Sequence, residues 1–555
     1  VGLRDRMWGA RTFRYDAAGQ LVEAVNAFGG VTRYRYDDLG RAIEVQDPMG
    51  GTVRRSWMPL GQIASETDPL GRTTRAGYDA AGRQVWQEQP DGQRLTWAYD
   101  ATGAMTDLAV DGETVTRFTR AADGRRLTAA TADGEVSLVW DAAGRLVERA
   151  RDGRSLRWSW DDNGRCVGVT TPAGTSTRYE RDAAGRVTAI DADGIGRVEF
   201  VHDAAGRLVR ASSAGTTQEW EHRDGSVARH HLTEAGVRST TELMWDADGR
   251  LSGVVRDGRA EHFDHDAAGQ LVARTGAGVE ERWAYDALGR VASRSDASGE
   301  VHLEHDAAGQ LTRTTSPAGT TTYTYDELGR RTAEEGPQGR TTFAWHARGW
   351  LSAMAGPAGT TTLLVDALGE LARVDDAEVF WDSIDPQRPA VEVADQPVVV
   401  GPGVMGSTGG WSPVGWRQRS DANGPWSSPT GLDVAGVGLL ASGGLTVAGL
   451  EWLGQRAYDP ATQGFLSVDP LVGIAGAGWA HNPYSYAGND PLHALDPSGR
   501  RPVTDAELQA YRDANQGFLA AAGDWVSDNW EYLAGGAMVI AGGVLVATGA
   551  GGPLG

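Results

Sequence analysis

Lysine is missing from this 555-residue chain; all 52 basic residues are arginine. Schiff-base and P-loop lysine chemistry is thereby excluded. Cysteine occurs once, at Cys166, so no intrachain disulfide can form and cysteine usage assigns no compartment. Cys166 reads as a small, half-buried residue on a strand, not a nucleophile. Positive charge is in deficit: the formal net charge is −22, which argues against a nucleic-acid-binding body. No Gly-rich phosphate loop, metal-spacing cluster or Ser/His/Asp arrangement stands out. Together these absences argue against a metabolic enzyme, and no cofactor or metal is expected. The chain opens on VGLRDRMWGA, without an initiator Met or a charged-then-apolar leader, and closes on GGPLG inside an apolar run. Both ends read as cut from a longer protein.

Glycine, in contrast, is abundant at 76 residues, about twice the ordinary rate. Its placement is periodic. "DAAG" starts at Asp16, Asp79, Asp141, Asp182, Asp203, Asp266 and Asp306, with variants "DDLG" at Asp37, "DALG" at Asp286 and Asp366, and "DELG" at Asp326. The closing glycines step by 21 residues from Gly19 to Gly124 and by 20 from Gly249 to Gly369, with a slip near His222 to Gly249. Such a beat marks stacked repeats. Before each turn the sequence alternates, as in Arg33-Tyr34-Arg35-Tyr36, which predicts strand. The D-x-x-G predicts a type I turn with a left-handed glycine, a three-residue hairpin loop with a bulge. A second turn, such as "DPMG" at Asp47, "DPLG" at Asp68 or "SPAG" at Ser316, ends the return strand. Each unit is thus two short strands and two turns. Neighbouring units should bury each other's faces in one curved antiparallel sheet, with a ladder of the Tyr, Trp or His that precedes each Asp.

His202, His265 and His305 occupy that ladder position in different units. Metal ligation needs several ligands to converge, so they read as substitutes for Tyr and Trp. The repeat aspartates read as turn formers and not as acid–base pairs.

Tyr-Asp pairs at 15–16, 36–37, 78–79, 99–100, 285–286 and 325–326 carry the x-x-G and the 20–21 spacing. Over about residues 1–500 the chain resembles the Rhs (rearrangement hotspot) or YD-repeat family. That family includes wall-associated bacterial proteins, C components of insecticidal toxin complexes and teneurins. The resemblance implies an all-β fold: a YD-repeat sheet spiralling into a hollow shell, or cocoon, that encapsulates a C-terminal toxin. The domain division expected is repeats over 1–374, an irregular Gly/Pro/Trp-rich plug or linker over 375–450, and a repeat-associated core over 451–500. A short helical segment over 501–531 and an apolar, Gly-rich lead-in to a toxin over 532–555 would follow.

The core rests on "YDPATQGFLSVDP" at 458–470 and "NPYSYAGNDPLHALDPSG" at 482–499. Gln463 and Gly464 depart from the Gly-Arg usual in the family. Many members cut themselves just after a DPxGL sequence with an aspartyl-protease-like pair. One carboxylate would activate water and the other would protonate the leaving amine. By motif the resemblance nominates Asp469 and Asp496, with Asp490 as a weaker third, and the bond Arg500–Arg501. Arg500 stands where cleaving members carry Leu, and desolvating an unpartnered cation is costly. Cleavage and a simple closing turn therefore both stay open.

Thr504 and Glu507 have capping-box spacing, which predicts a helix from about Asp505. Residues 532–555 are uncharged and long enough to cross a bilayer as a helix, though rich in glycine. They could insert in a membrane, line the shell or lead into the toxin. The expected partner is the chain's own toxin domain, with secretion machinery or cell-surface glycans or proteins as further partners and no nucleic acid. The expected location is secreted or at a bacterial cell surface, in interbacterial competition. The alternatives are a carbohydrate-binding adhesion protein, a self-cleaving protease core (autoproteolysis) and an open solenoid without a cavity.

Overall fold

The computed structural model describes residues 2–5, 9–385 and 388–414, shorter stretches between 427 and 496, and 503–504. The helix expected from Asp505, the segment 532–555 and the Arg500–Arg501 bond lie outside the described residues.

The D-x-x-G turn forms as the sequence predicts, and the reason is local. In the first unit, Gly19 N–H donates to Asp16 C=O at 3.1 Å and Asp16 N–H donates to Gln20 C=O at 2.9 Å. Asp16 Oδ1 accepts the N–H groups of Ala18 and Gln20, both at 2.9 Å. Gly19 sits at φ 81°, the left-handed region that glycine occupies without strain. The second turn sets the length of the beat. In the early units it is a three-residue loop, with Asp47 N–H bonded to Gly51 C=O. In the later units, pairing of Ser316 with Gly319 leaves only Pro317 and Ala318 between the strands. Loss of that one residue turns the 21-residue step into 20.

Two further contacts join each unit to the next. The arginine after the closing glycine forks. Arg145 Nε donates to Asp141 Oδ2 at 2.6 Å, while its Nη1 donates to Asp161 C=O, in the next turn, at 3.0 Å. Arg41 and Arg290 repeat this geometry with Met58 and Asp306. Only a planar guanidinium reaches both acceptors, and at these positions the absence of lysine has a physical reason. The same bonds hold the carboxyls of Asp37, Asp79, Asp182 and Asp203 below the usual range. The ladder aromatic supplies the second contact. Tyr78 Oη donates to Ile63 C=O at 3.0 Å, Trp140 Nε1 to Arg126 C=O at 2.7 Å and Tyr285 Oη to Leu271 C=O at 2.8 Å. Each acceptor lies two residues past the preceding unit's closing glycine. A large ring with a donor at its tip is what the position requires, and Arg181 fills it with a guanidinium that donates to Cys166 C=O.

Repetition of these contacts gives one 40-stranded antiparallel sheet, from Gly2–Asp5 to Gln396–Pro397. Beyond Val374, where the repeats were expected to end, the sheet continues through Ala377–Trp381, Ala390–Val393 and Gln396–Pro397. The largely buried strands "AEVFW" and "AVEV" carry it on without D-x-x-G turns.

The sheet winds on itself. Second turns of early units meet D-x-x-G turns of units more than 200 residues later. Asn26 Nδ2 donates to Ala287 C=O at 3.4 Å, Arg290 Nη2 meets Met49 Sδ at 3.2 Å and Arg72 Nη1 donates to Asp326 C=O at 3.3 Å. Further along, Arg348 Nη1 donates to Thr116 Oγ1 at 2.9 Å and Arg149 pairs with Asp366 and Glu370. The sheet is therefore a spiral whose gyres stack turn on turn, a shell. The last strands of the sheet and the chain on to Val414 fold back onto a face of its earlier strands. Trp158 Nε1 donates to Asp382 Oδ1 at 2.9 Å, Gln218 Nε2 to Gly403 C=O at 2.7 Å, and Val399 and Val404 join Ile190 and Phe200 in a buried cluster. The Arg151 and Arg154 guanidiniums both lie over the Phe380 ring. Among the described residues no helix is long and apolar enough to cross a membrane.

The fork predicts the effect of a conservative change. Arg145→Lys keeps the charge and loses one of the two bonds, so it should cost about 1 kcal/mol. Thermal melting of the full chain would show it, with Arg145→Ala costing more.

Candidate functional site

The C-terminal signature is built around the strand Arg456–Asp459, all four of whose residues are buried. It pairs with Leu450–Leu453 on one side and Gly464–Phe465 on the other. Its side chains point alternately to two neighbours. Asp459 Oδ2 accepts from Arg331 Nη1 at 2.7 Å and from Thr462 Oγ1 at 2.6 Å, and Oδ1 accepts the Ala461 N–H at 2.9 Å. Arg331 is fully buried and its N–H donates to Leu466 C=O. One repeat arginine thus plugs the signature turn into the sheet. Gln463 stands at φ 57°, a left-handed backbone where the family prefers glycine, and a side chain there is strained by about 1 kcal/mol.

Residues 481–489 form a strap across successive turns. Asn482 Nδ2 donates to Gly289 C=O at 3.3 Å, Tyr484 Oη to Gly329 C=O at 2.7 Å, and Asn489 Nδ2 to both Gly289 C=O and Gln270 Oε1 at 2.6 Å. His481 Nε2 meets Thr32 Oγ1 at 2.8 Å, which ties the strap to the first gyre as well. A short 3-10 turn, Ala487–Asn489, bends its end.

The structure brings Asp469 and Asp496 together. Arg456 Nη2 donates to Asp469 Oδ2 at 2.7 Å and to Asp496 Oδ2 at 3.2 Å. Arg456 Nη1 reaches Pro483 C=O at 3.3 Å, and its guanidinium lies 3.6 Å over the Phe465 ring. Asp469 N–H bonds the same Pro483 carbonyl at 2.8 Å. Asp496 is almost wholly buried. Asp490 has a different neighbour, His265 Nε2 at 3.6 Å. Ala494–Leu495 pairs with Val503–Thr504, so the chain on either side of Arg500 and Arg501 is tied together. Thr504 ends that strand pair, and the helix expected to follow it lies outside the described residues.

Sequence reasoning missed both arginines that organise the site. Arg331 left a trace: in "DELGRR" it occupies a position that is Leu, Ile or Val in most other units, a charge where the repeat buries an aliphatic. Arg456 left none, because its partners are distant in sequence. Of the ladder histidines, His265 lies beside Asp490. His305 lines a small cavity with Tyr325, Arg331 and Tyr484, and burial and Arg290 push its imidazole down to about 4. Among the described residues no group of three or more metal-ligating side chains occurs. Cys166 is buried, and burial pushes its thiol up to about 12, so it is inert at neutral pH.

The RHS Repeat family matches residues 15–52, 57–85, 140–176, 160–195, 265–301, 305–341 and 325–361. No curated protein matches the sequence. Among solved structures, a TcdB2-TccC3-Cdc42 chain is similar, with a TM-score of 0.57 and 16% identity, over 94% of this chain and 35% of that one. TcdB2-TccC3 without its hypervariable C-terminal region is similar at a TM-score of 0.49 and 15% identity, over 89% and 36%. The Tc holotoxin pore of Photorhabdus luminescens gives 0.48 and 14%, over 89% and 34%. The chain spans about a third of the length of these solved chains, and the first likeness shows a shared shell fold.

One buried acid near the site gives a test. Burial, and then the charge of Asp459, pushes the Glu451 carboxyl up to about 9. Its Oε2 has no hydrogen-bond partner. A carboxyl whose folded pKa is raised contributes full stability below its ordinary unfolded value, near 4.3, and loses it as pH rises toward 9. Glu451→Gln should therefore raise the melting temperature more at pH 8 than at pH 5. Equal shifts at both pH values would contradict the protonated carboxyl.

Proposed function

This chain is an RHS-repeat protein, and on that premise we propose that it is the encapsulating and delivery shell of a toxin whose effector domain follows the repeats. The observation that supports this reading most is the stacking of gyres turn on turn, with residues 377–414 and the strap 481–489 bonded across them. A sheet closed at its seams separates a volume from solvent, which a container must do and an adhesion module need not. Arg154 pairs with Glu378, Glu392 and Asp395, so the packed segment is held by charge as well as by apolar contact. The effector itself would act outside the cell that makes it, which places the shell among secreted proteins.

A protease site appended after Gly555 should resist a protease that cuts the same site placed before Val1. Equal cutting rates at both ends in the folded protein would count against enclosure.

A second reading has its own support. Asp469 and Asp496, far apart in sequence, meet on one arginine next to the strand pair that flanks Arg500 and Arg501. We propose that this pair cuts the Arg500–Arg501 bond, releasing the effector chain inside the shell. One carboxylate would take a proton from water as its oxygen attacks the Arg500 carbonyl carbon. The other would donate a proton to the Arg501 amine as the C–N bond breaks. Arg456 offsets the charge of both and must yield one of them for the proton to be shared. Intact mass of the purified chain should show two species that sum to the full length plus one water, and Asp469→Asn should leave one. A single full-length wild-type species after long incubation would remove this reading and leave the container untouched.

A further inference from the structure

Where the last strands of the sheet fold back, the turn after Ala377–Trp381 sets an acid against the earlier strands. Asp382 opens that turn and is only 8% exposed, against Trp158 at 3% and Cys166 at 8%. Every donor to its carboxyl among the described residues is neutral. Trp158 Nε1 donates to Oδ1 at 2.9 Å, the Ile384 N–H donates to the same oxygen at 3.2 Å, and the Asp385 N–H is a third donor. Four arginines lie around the turn, and each is committed elsewhere. Arg151 donates to the Ala372 and Val379 carbonyls, and Arg154 pairs with Glu378, Glu392 and Asp395. Arg181 donates to the Cys166 and Gly185 carbonyls, and Arg388 pairs with Glu370. The titratable and charged groups that face Asp382 are therefore Asp385, from its own turn, and Cys166, Tyr179 and Arg181, from the strands beneath. Burial keeps the Cys166 thiol and the Tyr179 hydroxyl protonated at neutral pH. A buried carboxylate without a cation is costly, and the same group protonated is far less so. Burial, and then the charge of Asp385, push the Asp382 carboxyl up to about 7.

We propose that the turn at Asp382 is a pH-gated latch: with its carboxyl protonated it holds the last strands of the sheet against Trp158 and its neighbours, and loss of that proton loosens them. The sign follows from the direction of the shift. A carboxyl raised in the folded state contributes full stability below its ordinary value, about 3.9, and loses it as pH rises through the folded value. The latch is thus closed in mild acid and weakened in mild alkali. Phe380 and Val391 stay in their apolar cluster and Arg154 keeps its three acids, so the loosening is local and the repeats stay folded. This goes beyond the container reading and does not need it: the latch works whether or not the shell holds a toxin.

Hydrogen exchange of the full chain, read by mass spectrometry at pH 6 and pH 8 and divided by the intrinsic rate at each pH, tests the latch. Protection of the amides in 377–385 and 389–398 should fall about tenfold between the two, while that of the repeat strands 331–345 stays level. Asp382→Asn keeps an acceptor for Trp158 and removes the charge, so its protection should be the same at both pH values. Trp158→Phe takes a donor from the ionised form and should move the midpoint of the wild-type change to higher pH. Melting at pH 6 checks that each variant is folded, and the wild-type comparison stands without them. Unchanged wild-type protection, an equal loss across the repeats, or a pH dependence that persists in Asp382→Asn would each overturn the proposal.

Discussion

The turn aspartate sits where three demands meet. Its Oδ1 satisfies two backbone amides that a tight turn would otherwise leave unpaired, its Oδ2 holds the following arginine, and its carbonyl receives the arginine of the unit before. Asp161 shows the first and last roles at once, accepting Arg145 through its carbonyl while its Oδ1 accepts the N–H groups of Asn163 and Arg165. A hairpin that is marginal alone is thereby fixed in register to its neighbour, and the aromatic ladder repeats the fixing on the strand side. The fold depends on this one local device, because a spiral of 40 strands closes only if small errors of register do not accumulate.

Between gyres the contacts change character. Arg149 between Asp366 and Glu370, Arg348 on Thr116 and Arg331 on Asp459 are buried pairs, whose desolvation cost offsets most of their attraction. We read them as setting which turn sits on which, with net stability coming from clusters such as that of Trp350, Leu371, Trp381, Trp452 and Leu466. That cluster joins repeat strands, the packed segment and the signature strands. The repeat sheet and the signature strands are in this sense one core.

Much of this architecture was legible in the sequence. The period, the Asp and Gly of each turn, the strand alternation and the donor-bearing ring before each Asp are local signals, and the structure reproduces them. The seam was not legible, since Asn26 and Ala287 carry no mark of one another. Val374 read as the end of the repeats because D-x-x-G stops there; that sheet pairing goes on past it through apolar strands carries no such mark. At the site, the motif nominated Asp469 and Asp496 and the fold brings them together. Asp490 shares the same D-P sequence but lies beside His265. The organising arginines were hidden for different reasons: Arg331 departs from the repeat at a single position, and Arg456 stands among residues whose partners only folding supplies.

The central claim is that the repeats close a hollow particle. Small-angle scattering of the purified chain distinguishes the possibilities most directly. The account predicts a compact pair-distance distribution with the deficit of short-to-mid distances that an internal cavity produces. A profile skewed toward long distances, as an open rod-like solenoid gives, would contradict it.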